Sequence, residues 1–228
     1  MGYDWTYLLI IAGMLLSLAA SAGVKSTYAK YSKVRSRCGM TGAQVADRIL
    51  RSAGISDVAV RPVSGSLTDH YDPRTRQVCL SESVYGSTSL AALGVAAHEC
   101  GHAIQHEQSY GPLAFRSTLV PVANLGSQAA WPIFLLGLVT DLTGLLYAGI
   151  ALFSLAVLFQ LVTLPVEFNA SRRAMAMLET TGIMGEEETA GAGKVLRAAA
   201  LTYVAALAAS VLQLLRLVII ANGGRKRD

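Results

Sequence analysis

The chain has 228 residues, 53% of them hydrophobic and only 15% charged. A soluble domain carries about 25% charged residues, so an ordinary water-soluble globule is excluded, and what lies outside a bilayer amounts to about one small domain. The net charge of +4 is explained by basic residues flanking apolar runs, and no nucleic-acid signature accompanies it.

Trp5 to Val24 is an uncharged apolar run of about 20 residues, long enough to cross hydrocarbon. The small residues Ala19-Ala20-Ser21-Ala22 are compatible with a signal-peptide cleavage site. A signal peptide, however, begins with a basic segment. Here Asp4 precedes the run, and Lys25, Lys30, Lys33, Arg35 and Arg37 follow it. Residues 1–24 are therefore read as an uncleaved transmembrane anchor. The positive-inside rule places the N-terminus outside and residue 25 onward in the cytoplasm.

Residues 25–118 are expected to form a cytoplasmic catalytic portion. Thr41 to Gly54 reads as an amphipathic helix: Thr41 and Gln44 form a capping box, Val45, Ile49 and Ala53 share a face, and Gly54 suits the C-terminal cap. Val58–Val60 and Gln77–Ser81 read as short strands, with a turn at Asp72-Pro73-Arg74-Thr75. Leu67 to Ser81 is expected to form a hairpin, one edge of which would bind an extended peptide by strand addition. Ser87 to Ser89 can cap the helix that follows.

That helix carries Ala96 to His106, AAHECGHAIQH, and within it the HExxH match His98-Glu99-Cys100-Gly101-His102. Residues four apart share one helix face, one turn above each other. His98 and His102 can thus offer two imidazole nitrogens to one tetrahedral Zn²⁺, with Glu99 turned aside to hold a water. The run before the motif is apolar, so the histidines should line a buried wall, where imidazoles need partners.

Tyr110-Gly111-Pro112 is expected to end this helix. Residues 119–164 read as a transmembrane hairpin: Leu119 to Thr140 with a kink at Pro132, a tight turn at Asp141 to Gly144, then Leu145 to Leu164. Residues 165–196 return to the cytoplasm, with Glu167 opening a helical stretch to Glu179 and Glu186, Glu187 and Glu188 suiting the next helix N-terminus or simple solvation. Residues 197–228 hold a last transmembrane helix, within the apolar stretch Lys194 to Ala221, and a basic tail. Four spans would leave Arg225-Lys226-Arg227 outside, against the positive-inside rule, and Arg216 interrupts the apolar stretch. A spanning helix with Arg216 snorkelling near its outer end is preferred over a re-entrant or surface helix.

A zinc held by two histidines needs a third protein ligand and an open position for water. His106 lies about 6 Å further along the helix axis than His102, too far for one ion to take all three histidines, so it is read as a core residue, a support behind the metal ligands or a substrate-rim residue. Glu167 fits better, against the alternative of a carboxylate paired with Arg172 or Arg173. Cys38 and Cys79 read as reduced thiols, and Cys100 points off the metal face. The chemistry expected is peptide hydrolysis with Glu99 as general base. Tyr203, Arg173 and His70 are candidates for the second oxyanion donor; for His70 turn chemistry is the competing reading, and for Tyr203 core or interface packing.

The chain resembles the YugP-like family of bacterial membrane zinc metallopeptidases. The resemblance runs through Leu67-Thr-Asp-His-Tyr-Asp-Pro, Leu80-Ser-Glu-Ser-Val-Tyr, the nine residues from His98 to His106, Pro165-Val-Glu-Phe-Asn-Ala-Ser-Arg-Arg-Ala and Ala200-Leu-Thr-Tyr-Val-Ala-Ala. More distantly it is similar to the HtpX-type membrane gluzincins. The resemblance implies a mainly α integral membrane protein with about four transmembrane helices, a small α+β zincin-like catalytic portion and an HExxH active-site helix. It implies a multi-pass protein of the bacterial cell membrane, its active site facing the cytoplasm, acting on protein or peptide substrates, membrane proteins among them. It implies zinc ligation by His98, His102 and Glu167 and a catalytic role for Glu99. Gluzincins usually carry Asp four residues after the Glu ligand to orient a histidine; Ser171 stands there instead, a weaker orienter. The competing readings are a non-enzymatic membrane scaffold with a structural zinc and a small-molecule metallohydrolase.

Overall fold

The computed structural model describes residues 5–224. Asp4 and Arg225-Lys226-Arg227, which entered the topology reading, lie outside the described residues. The elements, in order, are α1 (Tyr7–Tyr31), α2 (Gly42–Ser52), β1 (Ala59–Val63), β2 (His70–Asp72), β3 (Gln77–Ser81), α3 (Glu82–Tyr85), α4 (Leu90–Glu107), α5 (Gly111–Thr140), α6 (Thr143–Thr180) and α7 (Glu186–Gly224). Of these, α1, α5, α6 and α7 are long and apolar enough to cross a membrane. The chain divides into two compact units: Met1–Ser21 with Phe115–Leu164 and Thr202–Asp228, and Ala22–Ala114 with Pro165–Leu201.

The first unit is helical, and its large apolar side chains, such as Leu15, Leu18, Leu125, Val139 and Leu161, face outward. Its helices touch through small residues, as lipid-exposed helices do when packing rather than water exclusion holds them. A Cβ on Gly13 would lie 3.1 Å from that of Ala209, so α1 and α7 approach closely. A Cβ on Gly149 would come within 2.7 Å of that of buried Phe134, fixing α6 against α5. Arg216 is buried, its Nε donates to the Thr6 hydroxyl at 3.2 Å, and its guanidinium lies 4.6 Å over the Tyr7 ring. A cation enclosed by apolar helices needs such a donor–acceptor and π partnership.

The helices are longer than the expected spans. The expected span from Leu119 belongs to a helix that starts at Gly111. Pro112 sits in the first turn of α5, where a missing N–H costs no helical bond, so Tyr110-Gly111-Pro112 both ends α4 and opens α5. Glu167 does not open a helix: α6 runs unbroken from Thr143 to Thr180 through Pro165. One lost hydrogen bond at proline is not enough to end a helix whose flanks continue to favour it.

The second unit has its core between α2, α4 and the sheet, where Val45, Ile49, Leu50, Val78, Leu80, Leu93, Ala96 and Cys100 are buried. The capping box on α2 is present, with Thr41 N donating to Gln44 Oε1 at 2.8 Å and Gln44 N to Thr41 Oγ1 at 3.3 Å. Gly54 follows the helix at φ +75°, a conformation that favours glycine. Ser89 caps α4 by accepting from Ala92 N at 3.2 Å.

The sheet has the order β1-β3-β2. β1 pairs with β3 in parallel, Ala59 opposite Gln77 and Val63 opposite Ser81. β2 pairs with β3 antiparallel, His70 opposite Cys79 and Asp72 opposite Gln77. The hairpin forms, but Gln77–Ser81 is its central strand and both its edges are taken. Strand addition can therefore use only the outer edge of β1 or β2, and Pro62 lies in β1.

Candidate metal centre

Two helices of the second unit build the centre, and a glycine lets them meet. Gly101 lies inside the HExxH motif, and a Cβ there would run into the Ala170 carbonyl of α6. Only a bare Cα lets the two backbones come this close. The contact brings residues 167–173 of α6 alongside His98 and His102.

One oxygen of Glu167 faces both imidazoles. Its Oε2 lies 3.2 Å from His98 Nε2 and 3.6 Å from His102 Nε2. Among the described residues these three form the one group of at least three His, Cys, Asp or Glu whose ligand atoms lie within 4.8 Å of one another. Zinc bonds of about 2.0–2.2 Å at tetrahedral angles put donor atoms about 3.3–3.5 Å apart, so the spacing fits such an ion. Nitrogen and carboxylate donors with a position left over suit zinc at a reactive rather than a closed structural site. Glu167 is 3% exposed, and a carboxylate so far from water needs a cation. Burial works to raise its pKa, but the facing imidazoles of His102 and His98 prevail and hold it well below the usual carboxylate range. For His102, burial acts to lower the pKa, but Glu167, Glu99 and Gln105 outweigh it and the net shift is upward.

The outer nitrogens of both histidines are held. Ser171 Oγ lies 3.1 Å from His98 Nδ1. Gln105 Oε1 lies 3.0 Å from His102 Nδ1. Glu99 is buried on α4, and its carboxylate makes no hydrogen bond or ion pair among the described residues. Its charge acts on His102. A buried carboxylate without a protein partner is suited to receive a water proton.

Other sequence candidates fall elsewhere. His106 stays out of the metal group and its Nδ1 lies 2.8 Å from the Tyr71 hydroxyl of β2. His70 is exposed on β2, its Nδ1 donating to the Thr68 carbonyl at 2.8 Å, which is the turn chemistry weighed for it. Arg173 donates from Nε to Asn169 Oδ1 at 2.7 Å and from Nη1 to Gln108 Oε1, with its guanidinium over Tyr110. Tyr203 belongs to the first unit, exposed on α7. Cys100 is fully buried and donates to the Ala46 carbonyl at 3.5 Å, off the metal face as expected; burial raises its pKa. Sequence reasoning missed Gly101, Gln105 and Asn169. Only the motif's small residue between the histidines hinted at the first.

The family model described as "Putative neutral zinc metallopeptidase" matches residues 6–222. A curated relative, "Putative membrane protease YugP" of Bacillus subtilis (strain 168), is 52% identical over 220 residues, covering 96% of this chain and 98% of the relative. No solved structure matches. With a family model spanning nearly the whole chain and a full-length relative identical at half its positions, the chain belongs to the "putative neutral zinc metallopeptidase" family.

Proposed function

We propose that this chain is a multi-pass membrane zinc protease, its site facing the cytoplasm, that hydrolyses peptide bonds with Glu99 as general base. The observation that carries the reading is the convergence of His98, His102 and Glu167 beside a buried, unpartnered Glu99. Zinc bound there would supply a Lewis acid that activates water near neutral pH and polarises a carbonyl. The chain's own part is then defined. His98, His102 and Glu167 hold the ion, and Ser171 and Gln105 keep the two imidazoles turned toward it. The Glu99 carboxylate accepts the proton of the attacking water and passes it to the departing amine nitrogen.

Arg173 is committed to Asn169, Gln108 and Tyr110, so the second oxyanion donor is sought at His70, through Nε2. The outer edge of β2 is the surface on which an extended substrate would pair. No further strand lies beyond it among the described residues, and its Tyr71 reaches the helix that carries the motif. The cytoplasmic orientation is supported by the five basic residues that follow the first apolar run.

The test is Glu99→Gln in detergent-purified protein, with zinc content and cleavage of an unfolded protein measured together. Zinc should stay bound while cleavage falls by about 10²–10⁴-fold, the range for loss of a general base. Cleavage at the wild-type rate would refute the assignment.

A further inference from the structure

The amide of Gln105 is buried on α4 with no exposed surface, and it touches three groups. Its nitrogen lies 2.8 Å from the Val166 carbonyl and 2.9 Å from Asn169 Oδ1. Its oxygen faces His102 Nδ1. Which end of such an amide is nitrogen is settled by its partners. The Val166 carbonyl can only accept, so the group facing it must be the NH₂. Arg173 reaches the same conclusion from the other side. A guanidinium can only donate, so the Asn169 atom receiving Arg173 Nε is the oxygen. An oxygen that already accepts from Arg173 requires a donor from Gln105 as well. With the NH₂ end committed twice, Gln105 presents oxygen to His102. That oxygen cannot donate, so His102 must carry its proton on Nδ1. In neutral His102 the lone pair then sits on Nε2, facing the Glu167 oxygen.

We propose that Arg173, Asn169 and Gln105 form a positioning relay that fixes the Nδ1–H tautomer of His102 and so aims its Nε2 lone pair at the metal position. The proposal rests on the reading of His98, His102 and Glu167 as metal ligands. It gives Arg173 a role other than oxyanion binding. The relay also serves the second histidine in a different way from the first, since Ser171 at His98 is a hydroxyl that can donate or accept. His98 is thus oriented but free in tautomer, whereas His102 is held in one. Free imidazole prefers no single ring nitrogen strongly, so a bare His102 would spend part of its time with hydrogen where the ion must bind. A neutral Nε2 and a carboxylate oxygen facing each other repel unless a cation lies between them, and the relay keeps that arrangement in place.

The experiment uses the full-length chain in detergent and two readouts. The first is zinc affinity by competition with a chelator of known affinity, for wild type, Gln105→Leu, Asn169→Leu, Asn169→Asp and Arg173→Leu. Removing a partner that orients a ligating histidine costs about 10–100-fold in metal affinity. Gln105→Leu and Asn169→Leu should weaken zinc by that range and Arg173→Leu by the lower end of it. Asn169→Asp should stay close to wild type, because a carboxylate still accepts from both donors. The second readout is the ¹⁵N shift pattern of labelled histidine in metal-free protein, assigned with single histidine substitutions. Wild-type His102 should be the Nδ1–H form, and Gln105→Leu should mix the two tautomers. Wild-type His102 protonated on Nε2 overturns the relay, as does wild-type zinc affinity in folded Gln105→Leu. If Gln105→Leu fails to fold, half-buried Arg173→Leu decides by the same criteria. Wild type that binds no zinc sinks the metal reading instead, and the tautomer measurement still judges the relay.

Discussion

The two units use the same device, a glycine that lets helices touch, to different ends. In the helical unit Gly149 sets the spacing of α6 against Phe134. In the other unit Gly101 sets the spacing of α4 against Ala170, and with it the distance between two histidines and a glutamate. Polar side chains differ in the same way. Arg216 is satisfied by Thr6 and Tyr7, whereas Gln105, Asn169 and Arg173 join two helices around His102. A membrane helix needs its polar group silenced; a reactive site needs its polar groups aimed.

The sharpest way to break the comparison is Glu167→Ala. Zinc affinity should fall beyond the 10–100-fold cost of losing an orienting partner, measured by chelator competition. Unchanged affinity would remove the third ligand. Next come Gly101→Ala and Gly149→Ala as a pair. Each overpacks a helix contact and should cost about 1–3 kcal/mol in thermal or denaturant unfolding. Only Gly101→Ala should also release zinc; equal zinc affinity in the two would show that the α4–α6 approach does not set the site.

Acidification should act on one unit alone. Metal binding needs neutral imidazole, and the His102 pKa is raised above the ordinary 6.5. Proton competition therefore begins at higher pH than for an unperturbed histidine. Apparent zinc affinity should drop by about tenfold per pH unit for each proton displaced as pH falls through that raised value, and recover as pH rises. A pH-independent affinity from neutrality to pH 5 would contradict the ligand set. The smallest effect is expected at Thr41→Ala, where loss of the α2 cap should cost about 1 kcal/mol of stability and leave zinc affinity untouched.

Local signals in the chain were informative wherever the physics is local. The i, i+4 histidines, the Thr41–Gln44 box, the Asp72-Pro73 turn and the long apolar runs each depend on neighbours within a turn or two, and each is found in the structure. The nearness of Glu167 to the two histidines was legible because few carboxylates follow the return from the apolar runs. The central place of β3 was not, because parallel pairing with Ala59–Val63 is a choice among partners that alternation cannot make. The continuity of α6 through Pro165 was hidden by reading a span that ends at Leu164 and a separate helix that opens at Glu167. Gln105, Asn169 and Arg173 were invisible as a set, since a Gln on α4 and an Asn on α6 have no shared period. Arg216 looked anomalous until a partner from the start of the chain was in view.

The hydrogen bond between Tyr71 and His106 joins a strand to the helix that carries His98 and His102, one turn beyond His102. On the proposed reading, a chain paired along β2 would be registered against the histidines by that link. Successive residues of a strand advance about 3.3 Å and alternate their side chains between faces. A slip of one residue would turn every side chain over, and a slip of two would restore the pattern. The choice among neighbouring bonds in one substrate would then be made in steps of two residues, a parity rule written by the sheet rather than by any pocket.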